Sequence, residues 1–164
     1  MPDVIAPGLR VVFCGINPGL YSTAIGHHFG RPGNRFWPAL HGAGFTDRVY
    51  DPSEDRALLA LGYGITNLCP RTTARAEELA AAELARGART LSTKMRRYRP
   101  GVLAILGVGA YRSAFARPRA TLGLQEETVG GVPVFVLPNP SGLNAHYGLP
   151  ALVQRFGDLR RLAG

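Results

Sequence analysis

Lysine is nearly missing from this sequence: of 19 basic residues only Lys94 is a lysine, and the other 18 are arginines. Alanine, glycine and proline are plentiful, so the preference for arginine fits GC-rich coding, which does not account for the sign of the charge. Cysteine is scarce too. Cys14 and Cys69 form no C-x-x-C pair and cannot supply the four thiolates of an ordinary iron–sulfur cluster, so both are expected to be small buried hydrophobes on strands. His27, His28, His41 and His146 show no H-x-x-x-H spacing, which argues against a metal site, and no cofactor is expected. No apolar run approaches the roughly 18 to 20 residues of a membrane helix, and Met1-Pro2-Asp3-Val4 lacks the charged-then-apolar form of a signal peptide. A cytoplasmic protein, nucleoid-associated if it binds DNA, is the expectation. With 46% hydrophobic and 18% charged residues the chain lies outside the disordered class. Its length suits a single domain over residues 1–164, expected to be a monomer.

Against 11 acidic residues the basic ones leave a formal net charge of +8. The excess is one-sided. Up to residue 84 there are 7 basic and 8 acidic residues, and beyond it 12 basic and 3 acidic, so the second half carries +9. Such a half-chain attracts polyanions, nucleic acid first, although a solvated basic face would have the same composition. The cluster from Arg86 to Arg99 is expected to position a DNA backbone, or else to complement a helix dipole.

Apolar, β-rich runs at 9–14, 63–69, 102–106 and 132–137 read as strands, and helical patterning falls at about 34–44, 52–61, 74–98, 110–116 and 149–162. Within the long central helix Leu79, Leu84, Leu91 and Met95 form the expected inner side. Strands alternating with helices predict an α/β fold, a single-domain three-layer sandwich whose central, mainly parallel sheet has about four strands flanked by helices. Gly107 and Gly109 follow a strand, but Arg112 stands where a dinucleotide loop needs its third glycine.

Three segments carry the functional signal. Gly15-Ile16-Asn17-Pro18-Gly19-Leu20 follows the first strand, His28-Phe29-Gly30-Arg31-Pro32-Gly33-Asn34-Arg35-Phe36-Trp37 lies shortly beyond, and Leu137-Pro138-Asn139-Pro140-Ser141-Gly142-Leu143 follows the last strand. Each loop alone is ordinary turn chemistry. Ligands of open parallel sheets bind beyond the carboxyl ends of strands, so Asn17 and Asn139 are expected to share one cleft. In this order and spacing the segments resemble the mismatch-specific uracil-DNA and thymine-DNA glycosylases of the uracil-DNA glycosylase superfamily. The likeness runs from about Ala6 through Leu143 and includes Gly42-Ala43-Gly44-Phe45-Thr46-Asp47 and Ala104-Ile105-Leu106-Gly107.

The resemblance implies a monofunctional glycosylase of base excision repair. It would flip uracil, with thymine or modified cytosines as further substrates, out of G-mispaired duplex DNA and hydrolyse its glycosidic bond to leave an abasic site. By resemblance Phe29 stacks on the base, backbone near Ile16 and Phe29 reads its edge, and Gly19, Ser22 and Asn139 complete the base site, Ser22 near the pyrimidine C5 edge. Leu143 is the implied wedge, with Ser141, Gly142 and Asn144 beside it toward the opposite strand. Asn144-Ala145-His146 departs from the bacterial relatives, in which an arginine contacts the widowed strand. Relatives from other branches carry a carboxylate in the first loop and a histidine in the second, where this chain has Asn17 and Asn139. An amide has no accessible basic form, so Asn17 orients a water without taking its proton, and bond stretching must lead. Neither loop contains a lysine for Schiff-base chemistry. The alternative is a catalytically weak module that binds DNA damage or abasic sites. Trp37 is expected to be structural, and Arg71 either contacts phosphate or braces its surroundings.

Overall fold

A computed structural model describes all 164 residues. The strands are β1 (Val11–Gly15), β2 (Tyr63–Asn67), β3 (Val102–Leu106), β4 (Gly123–Val129) and β5 (Val132–Leu137), and the helices are α1 (Leu20–Ile25), α2 (Phe36–Gly42), α3 (Leu58–Leu61), α4 (Ala81–Tyr98), α5 (Val108–Phe115) and α6 (Leu149–Ala163). The strands form one sheet in the order β2-β1-β3-β5-β4, parallel except for β4 against β5. Strand order reverses at β1, where the chain steps to β2 on one side and β3 on the other. This is the position at which a crevice opens in doubly wound sheets.

The sheet has five strands rather than the expected four. β4 escapes an apolar search because it is a polar edge strand, Gly-Leu-Gln-Glu-Glu-Thr-Val, with most of its residues exposed or half-buried. Gly130 and Gly131, at φ 57° and 83°, turn it into β5 as a two-residue hairpin. Pro133 is tolerated in β5 because the ladder with β3 begins only at Val134. The predicted helix over 74–98 is also divided: a 3-10 turn at Ala76–Glu78 precedes α4, and Leu79 and Ala80 between them are extended. Glu83 fixes that break by reaching back to the Ala80 N–H at 3.1 Å. Likewise the stretch 52–61 is a 3-10 turn at Pro52–Ala57, started by Asp51 and Glu54, followed by the short α3.

Each sheet face has its own core. One face packs β residues such as Phe13, Ala104 and Leu106 under α2, α3 and α6, and the other packs Val12, Cys14, Leu103 and Ile105 under α4 and α5. Leu91 and Met95 are buried as expected, Leu79 is buried ahead of the helix, and Leu84 is half-buried. Phe13 lies at the centre of an aromatic group, with ring centroids 5.3 Å from Phe36, 5.6 Å from Phe45 and 6.1 Å from Phe156. Phe13→Ala is expected to destabilise the fold by about 3–5 kcal/mol, measured as a shift of the urea midpoint. Cys14 and Cys69 are buried free thiols, and burial pushes both above the ordinary thiol value. Cys69 lies just past β2 rather than on it.

Candidate active site

A cleft of about 670 Å³ opens at the carboxyl end of β1, β2 and β5, within the size range of small-ligand pockets. Nine of the ten sequence-predicted residues line it: Ile16, Asn17, Gly19, Ser22, Phe29, Asn139, Ser141, Leu143 and Asn144. Gly142 does not line it. That glycine abuts the 31–34 turn, where a Cβ would stand 2.7 Å from the Gly33 carbonyl oxygen.

The first loop extends the strand pairing beyond the sheet, with Leu68 N–H donating to Gly15 O at 2.8 Å and Cys69 N–H to Ile16 O at 2.9 Å. Asn17 is thereby set beside residues 71–73. Its Nδ2 donates to the Arg71 carbonyl and to Thr73 Oγ1, both at 2.8 Å. The buried Thr73 hydroxyl gives its own proton to Arg75 O at 2.7 Å, so it can only accept from Asn17. Both acceptors therefore require the amide nitrogen, and the carboxamide orientation follows from chemistry. Asn17 Oδ1 is the group left for a ligand or water.

Phe29 has φ 53°, a left-handed conformation that costs a non-glycine residue about 1–2 kcal/mol. Its neighbours hold it there. Ser22 Oγ accepts from Gly30 N–H at 2.9 Å, Asp55 Oδ2 from His28 N–H at 3.1 Å, and the His28 carbonyl from Trp37 Nε1 at 3.3 Å. The Phe29 ring stacks on Phe36, centroids 4.1 Å apart. Gly15 forms the adjacent floor: a Cβ there would stand 3.4 Å from the Phe29 ring and 2.7 Å from Asn67 Oδ1. Trp37 is a core residue, as expected.

His28 is buried, and its Nε2 meets the Pro2 carbonyl at 2.9 Å, which places the ring proton on Nε2. Burial lowers its pKa below the ordinary 6.5. The unfolded chain then takes up a proton first as pH falls, so this contribution to stability is complete above about pH 6.5 and lost below it. Glu54 and Glu83, whose carboxyls are held down to about 2 by Arg48 and Arg71, act only in a lower window. Urea midpoints should thus drop between about pH 7.5 and 5.5, and drop less in His28→Gln, which keeps a donor but has no titrating ring.

The second loop is internally bonded. Asn139 Oδ1 accepts from Ser141 N–H at 2.9 Å, Ser141 Oγ from Leu143 N–H at 3.2 Å, and the Asn139 carbonyl from Asn144 Nδ2 at 3.0 Å. These bonds present Leu143 outward, 62% exposed. The loop is clasped by Arg35, whose guanidinium donates to the carbonyls of Pro140, Ser141, Asn144 and Tyr147, while its backbone N–H also bonds Pro140 O at 2.9 Å.

Thr73, Asn67 and Glu77 are site residues that nothing in the sequence singles out, and Arg35, inside the second of the three signal segments, has a role that the sequence does not suggest. Glu77 is the one carboxylate lining the cleft, on its exposed rim. Arg71 forms a bidentate pair with Glu83, both contacts 2.8 Å, and also donates to Glu78 O, so it is a brace. Lys94 lies outside the cleft, paired with Asp3 at 2.6 Å. No group of three or more His, Cys, Asp or Glu side chains is arranged to hold a metal. No helix is long and apolar enough to cross a membrane.

The fold has a solved counterpart. The solution NMR structure of a candidate uracil DNA glycosylase from Methanosarcina acetivorans matches with a TM-score of 0.64 over 100% of this chain and 97% of that one, at 17% identity, a likeness of fold. A family model, described as the Uracil DNA glycosylase superfamily, matches residues 2–160, and the chain with this sheet, cleft and pair of loops therefore belongs to the uracil DNA glycosylase superfamily.

Proposed function

We propose that the protein hydrolyses the N-glycosidic bond of uracil in duplex DNA, preferring uracil mispaired with guanine, and leaves an abasic site. The observation that carries this reading is the orientation of Asn17: its amide donors are committed to Arg71 and Thr73, so only a carbonyl oxygen faces chemistry. An oxygen acceptor can align a water on the sugar C1′ but cannot deprotonate it. The glycosidic bond accordingly stretches before water adds, and the departing uracil carries negative charge that backbone N–H groups near Ile16 and Phe29 stabilise. The water loses its proton as it joins C1′, and the uracil anion gains one from solvent.

The base enters over Gly15, against the Phe29 ring, with its C5 edge toward Ser22, whose hydroxyl is taken up by the Gly30 amide. Leu143 fills the vacated stack, which costs a few kcal/mol of unstacking. Because Asn17 supplies no base, the flipping equilibrium weighs heavily on rate, and a G·U pair opens more readily than A·U. Single-turnover excision from G·U is expected to exceed that from A·U by roughly tenfold or more in otherwise identical duplexes. Equal rates would remove the mispair preference. The only lysine is ion-paired away from the cleft, so the product strand stays uncut until alkali is added.

The lack of a titrating group in the first loop also favours a second reading, a module that binds abasic sites with little turnover. Tight abasic-site binding without uracil release would select it. Glu77 offers a further check, because a carboxylate base would make Glu77→Gln inactive, whereas water alignment by Asn17 leaves that variant active.

A further inference from the structure

A group of exposed, unpaired arginines lies away from the cleft. In a parallel sheet the return helices run back toward the strands' amino ends, and α4 spans about 27 Å over its length. Arg96, Arg97 and Arg99 at its C-terminus therefore occupy the pole opposite the cleft. Backbone and side-chain packing joins them into a belt around that pole. Val102 N–H donates to the Arg10 carbonyl at 3.1 Å, and Gly8 N–H to the Tyr98 carbonyl at 2.9 Å, which sets Arg10 beside the end of α4. The Arg10 side chain lies over Gly62, next to Tyr63, whose ring stacks edge-on with Phe45 at 5.1 Å. The adjoining Gly44 supports the Arg160 guanidinium, 3.4 Å from where a Cβ would stand. None of Arg10, Arg96, Arg97, Arg99 and Arg160 has a carboxylate at ion-pair distance. All five are exposed. Beside the cleft, by contrast, Arg35 and Arg71 are committed to internal partners, and the lining itself holds Arg31, Arg75 and the Met1 amino group.

We infer that this polar belt is a second nucleic-acid surface, which grips the phosphate backbone of a duplex segment other than the one in the cleft. Arginines from the end of α4, from the residue before β1 and from α6, without carboxylate partners and with the one ring among them, Tyr98, already covered by Arg97 at 5.2 Å, suit a backbone of repeating phosphates rather than a single anion or a base. A protein holding two segments at opposite poles can pass between them without full release. The surface works whether or not the cleft excises uracil.

The test uses the full chain carrying Arg10→Gln, Arg96→Gln, Arg97→Gln and Arg99→Gln, with an unchanged circular-dichroism melt as the folding control. Against a fluorescent undamaged duplex, affinity at low salt is expected to fall about tenfold or more. The slope of log affinity against log salt should lessen by about 0.9 for each phosphate that is no longer neutralised. In a second arm, protein on an immobilised duplex bearing a tetrahydrofuran abasic analogue captures a labelled undamaged duplex. Wild type is expected to retain it, and the variant to release it while staying on the first. An unchanged salt slope would overturn the proposal, and so would equal capture, or a wild type that captures nothing. Failure of both proteins to prefer the abasic duplex would count against the cleft reading, and the salt slope would still report on the pole.

Discussion

Replacing Asn17 with alanine is expected to lower single-turnover uracil excision by roughly 10²- to 10³-fold while affinity for an abasic-site duplex changes by only about twofold. The separation of rate from binding follows from what the side chain touches. Its nitrogen bonds the Arg71 carbonyl and Thr73 hydroxyl of the neighbouring loop, and its oxygen is the only part left to align water. Asn17→Asp sharpens the expectation. A carboxylate would set an oxygen against the Arg71 carbonyl where a donor stood at 2.8 Å. Like partial charges at that distance repel, so the variant must rotate or take up a proton there, and it gains no well-placed base at neutral pH. Thr73→Val, which removes the other acceptor, should loosen the same orientation and share part of the loss. Rates and affinities measured on one duplex decide the matter, and an Asn17→Ala protein with near wild-type rate would exclude this residue as the water-aligning group.

Arg35→Ala is expected to cost about 1–3 kcal/mol of stability and roughly tenfold to a hundredfold in excision from duplex DNA. Four carbonyls between Pro140 and Tyr147 would lose one charged donor together, and the loop presenting Leu143 would no longer have a fixed height above the cleft. A general unfolding effect would depress activity on every substrate. A wedge effect depends on the duplex, so the deficit should shrink on single-stranded uracil DNA, where nothing needs to be displaced. Arg35→Lys should restore the function only in part, because an ammonium is a point donor and cannot span the carbonyls that a planar guanidinium bridges. An equal deficit on single and double strands would assign Arg35 to stability alone.

Much of this arrangement was legible in the sequence, and the parts that were not share a physical cause. β1, β3 and β5 are apolar because helices cover both their faces, and the edge strand β2 is also largely buried, whereas β4 is an exposed edge strand whose polar side chains hide it from that pattern. Only the Gly130-Gly131 turn signals it. The break before α4 depends on Glu83 capping a new start, a competition that helical composition over 74–98 does not reveal. At the site, the loops were recognisable because their turn chemistry is local. Thr73 and Arg35 act across 56 and more than 100 residues of chain, and nothing near them in sequence distinguishes a brace from a solvated side chain. The charge was legible in amount but its place in the fold was not, because the direction in which a helix returns along a sheet is a property of topology, not composition.

Uracil hydrolysis itself is tested most directly by incubating stoichiometric protein with a G·U duplex labelled on the uracil strand, then assaying free uracil and heating the DNA in alkali. The predicted result is released uracil, a strand that is intact before alkali, and cleavage at the former uracil after it. A strand that stays whole through alkali, with no uracil released, would contradict the assignment of Asn17, Phe29 and Leu143 to base excision.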